Sequence, residues 1–185
     1  MAKVLIFLAD GFEEIEGLTV VDILRRAGID IVTVSITDKA EVTGSHKIGL
    51  KTDTTIDALD FSSGDMIVLP GGMPGTKYLE ADDRLMQQVD AYITGGKKVS
   101  AICAAPTILG HRGHLKGLKA CCYPGLEGEL TGAEVSYDAV SVAGNIITSR
   151  GLGTAVPFAL VIIESILDKA TADKIADSVV YSGVR

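Results

Sequence analysis

Apolar residues follow two rhythms along this chain. Short runs are apolar on both alternating faces: "KVLIFLA" (3–9), "DIVTVSI" (30–36), "DMIVLP" (65–70), "KVSAIC" (98–103), "KACCYP" (119–124) and "IITS" (146–149). Strands of that kind belong in a sheet covered on both sides, as parallel sheets are. Between them the apolar spacing lengthens to three and four, which predicts helices over 13–27, 82–94, 105–112, 154–167 and 171–181. Residues 41–56, "EVTGSHKIGLKTDTTI", read as a small antiparallel hairpin. Strand and helix in alternation imply a flavodoxin-like, doubly wound α/β sandwich, with a mostly parallel central sheet and helices on both faces. With no repeat, low-complexity tract or linker, a single domain over 1–185 is expected.

In such a fold, ligands sit beyond the carboxyl ends of the strands. The segments there are "DGFEEIE" after the first strand, "PGGMPG" (70–75), "CAAPT" (103–107) and "SRGLGT" (149–154). In "KKVSAICAAPTILG" a strand ends at Cys103 and a helix begins at once, with Pro106 tolerated in its first turn. That is the plan of a nucleophile elbow, in which a tight strand-to-helix turn thrusts one side chain out among small neighbours such as Ala101, Ala104 and Ala105. A helix terminus behind Cys103 would favour its thiolate. Cys103 reads equally well as a small core hydrophobe. Gly71 and Gly72 tolerate positive φ and expose N–H groups. The N–H groups of Gly72 and Ala104 are candidate anion or oxyanion donors beside Cys103, although a plain glycine-rich turn is the simpler reading.

Helix 13–27 contains an oddity. At about 100° per residue, Glu16 shares a face with Val20, Ile23 and Ala27, the side that should be buried, while Thr19, Asp22, Arg25 and Arg26 take the other. Glu13 also leans inward, at the helix mouth. Acidic residues suit the positive end of a helix dipole, yet capping does not explain a carboxyl aimed at the core.

The remaining composition mostly excludes. A net charge of −7 without a Lys/Arg cluster argues against nucleic acid and anionic membranes as partners. "KVLIFLA" is too short for a signal segment, and "AVPFALVIIESIL" falls short of a membrane span of about 20 residues. Three cysteines without CxxC or HxxxH spacing suggest neither a disulfide framework nor a metal site. A cytoplasmic protein is expected. The dinucleotide fingerprint is missing after the first strand, so no nucleotide cofactor is expected, nor any other.

Together, "KVLIFLADGFEEIE", "DILRRAG", "VLPGG", "AICAAP" and "TSRGLGT" resemble the ThiJ/PfpI superfamily, in the branch of the Parkinson-disease protein deglycase (DJ-one-like). The resemblance implies that Cys103 is the reactive elbow cysteine and oxidation site. Glu16 is then its hydrogen-bonding acid and Gly72 and Ala104 its backbone donors. Gly71, Tyr123 and Arg150 are substrate-pocket candidates. It further implies a homodimer to which helix 13–27 contributes. A protonated Glu16 donating to the Cys103 sulfur would account for the inward carboxyl. The peptidase branch has a histidine directly after the cysteine where Ala104 stands, and the human-type branch has one where Tyr123 stands. A Cys-His-acid peptidase is therefore disfavoured, and so is a glutamine amidotransferase, which would want a late His-x-Glu. The implied activity is glutathione-independent glyoxalase or deglycase chemistry on α-dicarbonyls such as methylglyoxal or their adducts. The alternative is a non-catalytic oxidative-stress sensor or chaperone read out through oxidation of Cys103.

Overall fold

The computed structural model describes residues 2–183. A seven-stranded sheet runs in the order β10-β11-β7-β6-β1-β2-β5. Its strands are β1 (Lys3–Leu8), β2 (Asp30–Ser35), β5 (Thr54–Thr55), β6 (Met66–Leu69), β7 (Lys98–Ile102), β10 (Val140–Ala143) and β11 (Ile146–Ser149). Only the β10–β11 edge pair is antiparallel. Beside the sheet lie two small pairs, β3 (Glu41–Thr43) with β4 (Gly49–Lys51), and β8 (Lys119–Ala120) with β9 (Glu134–Val135).

The period of two along β1 divides the core. Val4, Ile6 and Leu8 face a layer with Val20, Ile23 and Leu24 of α1 (Glu14–Arg26) and Phe158, Leu160 and Ile162 of α5 (Ala155–Ile166). α6 (Lys169–Ser178) packs on α5. Leu5, Phe7 and Ala9 face the opposite layer. That layer holds Leu85, Val89 and Tyr92 of α3 (Asp83–Thr94) and Ile108 and Leu109 of α4 (Pro106–His111), and the short α2 (Gly75–Ala81) contacts α3. Both faces are thus covered, as the doubly apolar strands required.

Two expectations change. "KACCYP" is not a strand of the main sheet: only Lys119–Ala120 pairs, with β9, while the Tyr123 N–H donates to the Cys103 carbonyl at 2.7 Å. An apolar run of that length can line a turn against the core as well as extend a sheet. The "hairpin" over 41–56 is β3 and β4 alone, and Thr54–Thr55 joins the main sheet beside β2. Helix α2 and strand β10 escaped prediction, since "GTKYLEA" and "VSVA" are too short to show a period.

From β1 the chain winds outward to β2 and β5, then crosses back to β6 on the other flank of β1. The crevice of such a sheet opens where that order reverses, between the loops after β1 and β6. The turn 44–48 of the β3–β4 hairpin is fastened beside it. Glu14, only 2% exposed, accepts from the His46 N–H (2.7 Å), His46 Nδ1 (2.9 Å) and the Ile48 N–H (3.4 Å). Burial alone would raise this carboxyl, but the His46 contacts outweigh it and hold it at about 2, below the ordinary 4.5. His46 is raised in turn by Glu14. A depressed carboxylate stabilises the fold above its unfolded pKa and ceases to as pH falls through the folded one. The Glu14 contribution should therefore be intact above pH 4.5 and vanish on acidification towards about 2. Glu14→Gln should lower thermal stability at neutral pH and flatten the acid limb of the melting-temperature profile between those values.

Candidate functional site

Cys103 follows β7 directly and has φ = +66°, a left-handed conformation rare for any residue but glycine. Holding it there costs about 1–3 kcal/mol. Two backbone bonds fix the turn. The Cys103 N–H donates to the Ser149 carbonyl at the end of β11 (3.0 Å), and its own carbonyl accepts from Tyr123. The Thr107 hydroxyl closes the first turn of α4 on the Ala104 carbonyl at 2.8 Å. Strain resting on named bonds, with a half-buried sulfur at the apex, makes an elbow.

Glu16 lies in the first turn of α1 and is 1% exposed. One carboxyl oxygen accepts from the Gly71 N–H at 3.0 Å, and the Leu152 N–H also bonds the group. Glu13 precedes α1 as its cap and accepts the Glu16 N–H at 2.7 Å, so it holds the backbone from which Glu16 projects. Gly71 is where the pair meets. A Cβ built there would lie 2.5 Å from Cys103 Cβ, 2.7 Å from a Glu16 carboxyl oxygen and 3.0 Å from the Cys103 sulfur. Glycine is needed here for close approach, not for positive φ. It is Gly72 that has φ = +95°, with backbone of Gly11–Glu13 where a Cβ would go.

The electrostatics follow from burial. Desolvation pushes the Glu16 carboxyl up to about 7, and the charge of Glu13 adds to this, against bonds from Cys103, Gly71 and Leu152 that favour the anion. Burial and an ionised Glu16 likewise push the Cys103 thiol up, to about 12, while hydrogen bonds from the Ala104 and Gly72 N–H groups draw it down. The N–H of Ala104 at the helix terminus favours the thiolate, as expected from the sequence, but burial and an ionised Glu16 oppose it. α4 is short, and desolvation dominates. Two acids in one dry space cannot both ionise. The direction for Glu16 is up, because charge on either group disfavours charge on the other.

In front of the sulfur opens a cavity of about 380 Å³, whose walls include Gly72, Met73, Ala104, Tyr123, Pro124 and Leu126. Of the predicted site residues, Glu16, Gly71, Gly72, Cys103 and Ala104 come together, and Tyr123 forms a wall. Gly71 lies beside the sulfur and not among the cavity walls. Arg150 lines an adjoining recess of about 420 Å³ that shares Tyr123 and Pro124, with its guanidinium 5.7 Å over the Tyr137 ring. Glu13 was singled out only as leaning inward, not as the cap that holds Glu16, and Met73, Leu126 and Leu152 were not singled out from sequence. Of these, Met73 adjoins "PGG" and Leu152 adjoins "SRG".

The histidines are employed elsewhere. His46 binds Glu14, His111 bridges Glu80 (2.6 Å) and Glu129 (2.9 Å), and the half-buried His114 meets Asp90 at 2.6 Å. Glu13, Glu14 and His46 present ligand atoms within 4.8 Å of one another. The Glu14 oxygens, however, are already engaged by Ser45, His46 and Ile48. The trio is an ion-pair cluster. Cys121 and Cys122 are buried, the former against Thr148 at 3.3 Å, and burial raises both thiols.

A cysteine elbow on a doubly wound sandwich, backed by a buried glutamate from the first helix, defines a class, and comparison identifies it. The DJ-1/PfpI family profile matches residues 2–165, and the chain belongs to that family. It is 37% identical over 163 residues to protein DJ-1 homolog B of Arabidopsis thaliana, covering 88% of this chain but 37% of that protein. The second Arabidopsis relative, homolog A, is spanned over 45% of its length. Protein dj-1beta of Drosophila melanogaster is 34% identical over 174 residues, 93% of each chain. Among solved structures, oxidized Toxoplasma gondii DJ-1 superposes with a TM-score of 0.95 at 35% identity, covering 99% of this chain and 100% of that one. The Drosophila DJ-1beta structure gives 0.92 at 31%, covering 98% and 99%.

Two outcomes follow from this geometry. Cys103→Gly should melt higher than Cys103→Ala by about 2–4 °C, roughly 1 kcal/mol, because glycine relieves the left-handed strain that alanine keeps. A raised carboxyl pKa makes stability fall as pH rises from the unfolded to the folded value, since the native state then holds the extra proton. Between pH 4.5 and about 7 the wild type should lose stability that Glu16→Gln does not, as read by chemical denaturation across that range.

Proposed function

We propose that the chain is a cysteine-dependent, glutathione-independent glyoxalase or deglycase-type enzyme acting on α-dicarbonyls. The observation that carries this reading is the Glu16 carboxyl, raised to about 7 and held beside Cys103, which lines a cavity of about 380 Å³. A proton placed on Glu16 removes the carboxylate charge that raises the thiol and turns the carboxyl into a donor to the sulfur. With the Gly72 and Ala104 N–H groups also directed at it, the thiolate becomes the favoured partner of a neutral Glu16.

The reaction then runs within one pair. The sulfur attacks the aldehyde carbon of methylglyoxal, an S–C bond forms, and the carbonyl π pair moves to oxygen, which takes the Glu16 proton. The Glu16 carboxylate removes the hydrogen from that carbon and returns a proton to the neighbouring one, through an enediol. The oxidation is internal: the aldehyde carbon becomes a thioester and the ketone an alcohol. Water cleaves the thioester, releasing lactate and restoring the thiol, so methylglyoxal plus water accounts for every atom. No histidine lines this cavity, which favours proton movement by Glu16 over a Cys-His peptidase mechanism.

A second reading is favoured by one finding: the related Toxoplasma structure is of an oxidized form. In it, peroxide oxidises the Cys103 thiolate stepwise to sulfinate, held by Glu16 and the same N–H groups, and the product is a signal. The family resemblance also supports a homodimer, to which α1 would bring Ile15, an exposed apolar side chain. Among the described residues no helix is long and apolar enough to cross a membrane. A cytoplasmic site of action is part of the proposal.

The deciding measurement is lactate formed from methylglyoxal without glutathione, followed by NMR. Wild type should turn over many times and Cys103→Ala not at all. Glu16→Gln, able to donate to sulfur but not to shuttle a proton, should keep Cys103 open to iodoacetamide while losing about 10²–10⁴-fold in turnover. A folded wild type no faster than Cys103→Ala would leave the sensor reading, to be pursued by mass spectrometry of the peroxide-treated thiol.

A further inference from the structure

The walls of the Cys103 cavity differ in character from the rest of this edge of the sheet. Met73, Ala104, Tyr123, Pro124 and Leu126 supply side chains without charge, and the backbone N–H groups of Gly72 and Ala104 are turned to the sulfur. The nearest charges are already engaged: the Glu127 carboxylate accepts from the N–H of Gly125, itself a wall residue, at 2.7 Å, and the Arg150 guanidinium stacks on Tyr137 in the neighbouring recess.

Two of the walls are large and open to solvent: Met73 is 48% exposed and Tyr123 52%. The position of Tyr123 is set in advance. Its N–H is held by the Cys103 carbonyl at 2.7 Å, and its ring lies over Gly151, where a Cβ would come within 3.4 Å of Tyr123 Cδ2. A ring fixed by backbone bonds loses little freedom when a flat group packs on it. Methylglyoxal offers only one methyl group beyond its carbonyls, too little to cover either wall in a cavity of about 380 Å³. A charged adduct side chain would find no ion-pair partner among these walls.

We propose that this site is built for a carbonyl electrophile bearing a flat apolar substituent, an aryl α-oxoaldehyde, and that Met73 and Tyr123 determine this specificity. As a statement about substrate, this rests on the glyoxalase reading. Phenylglyoxal would follow the same balanced course: addition of the thiol to the aldehyde, proton transfer between adjacent carbons through Glu16, and hydrolysis to mandelate with one water consumed.

The test has two arms. In the first, kcat/KM is measured for methylglyoxal and phenylglyoxal from lactate and mandelate produced, so that arginine modification by phenylglyoxal is not counted. Each rate is normalised to the addition rate of a small free thiol. The aryl substrate should be favoured at least about tenfold, the discrimination apolar pockets reach with small groups. Met73→Ser and Tyr123→Ala should each reduce that ratio several-fold, chiefly through KM, while Tyr123→Phe preserves it. The second arm needs no turnover: alkylation of Cys103 by N-phenyl-2-iodoacetamide is compared with 2-iodoacetamide under the same normalisation. A preference for the aryl reagent that falls in Met73→Ser supports the assignment, even if neither oxoaldehyde is turned over. In that case the glyoxalase reading fails and the apolar selectivity of the site stands. Equal normalised rates in the alkylation arm, or a ratio untouched by both Met73→Ser and Tyr123→Ala, would overturn it.

Discussion

A buried carboxyl and a half-buried thiol held side by side cannot easily both ionise, and most of this molecule is arranged around that constraint. Glu16 and Cys103 come from opposite flanks of the sheet's reversal point, one from the helix after β1 and the other from the turn after β7. Between these strands lies β6, and the loop that follows it brings Gly71 to both side chains. Any side chain at Gly71 would push them apart. The same packing buries the Glu16 carboxyl and leaves the Cys103 sulfur half-buried at the cavity. The chemical character of the pair is therefore a property of the strand order, not of either residue alone.

Around this pair the structure is stiff, and different bonds secure each side. Glu13 caps α1 and so fixes the backbone of Glu16. Ser149 and Tyr123 pin Cys103 in a conformation it would not choose. Glu14, one residue from the cap, reaches outward and ties the turn 44–48 to the same helix end. The three roles in "GFEEIE", Glu13 as cap, Glu14 as tether and Glu16 as buried acid, show how one helix N-terminus distributes its acidic residues. Dipole complementarity alone would treat them as equivalent.

The frame was legible in the chain because doubly apolar strands and their regular helical intervals carry a strong period. The inward Glu16 was legible for the same reason: a charged residue on the apolar face of a helix breaks the pattern. The elbow was legible from "AICAAP", since small residues cluster only where room is short. What the sequence concealed depended on contacts between distant loops. "KACCYP" has the composition of a strand, but its path is set by the Cys103 carbonyl and by Thr148. Gly71 and Gly72 look alike in sequence, yet one is required for proximity and the other for its backbone angle. A helix terminus drawing the thiol down is visible in sequence, whereas the desolvation that opposes it is not. Met73 gave no sign, for an apolar residue in a loop acquires meaning only from what stands opposite.

The left-handed backbone of Cys103 bears on which residues the position would accept as well as on its mechanics. A position where glycine would fit better, and where alanine or serine would fit no worse, exerts a steady pull away from cysteine whenever stability alone is selected. Backbone preference and packing alone thus give no reason for a cysteine at this strained apex.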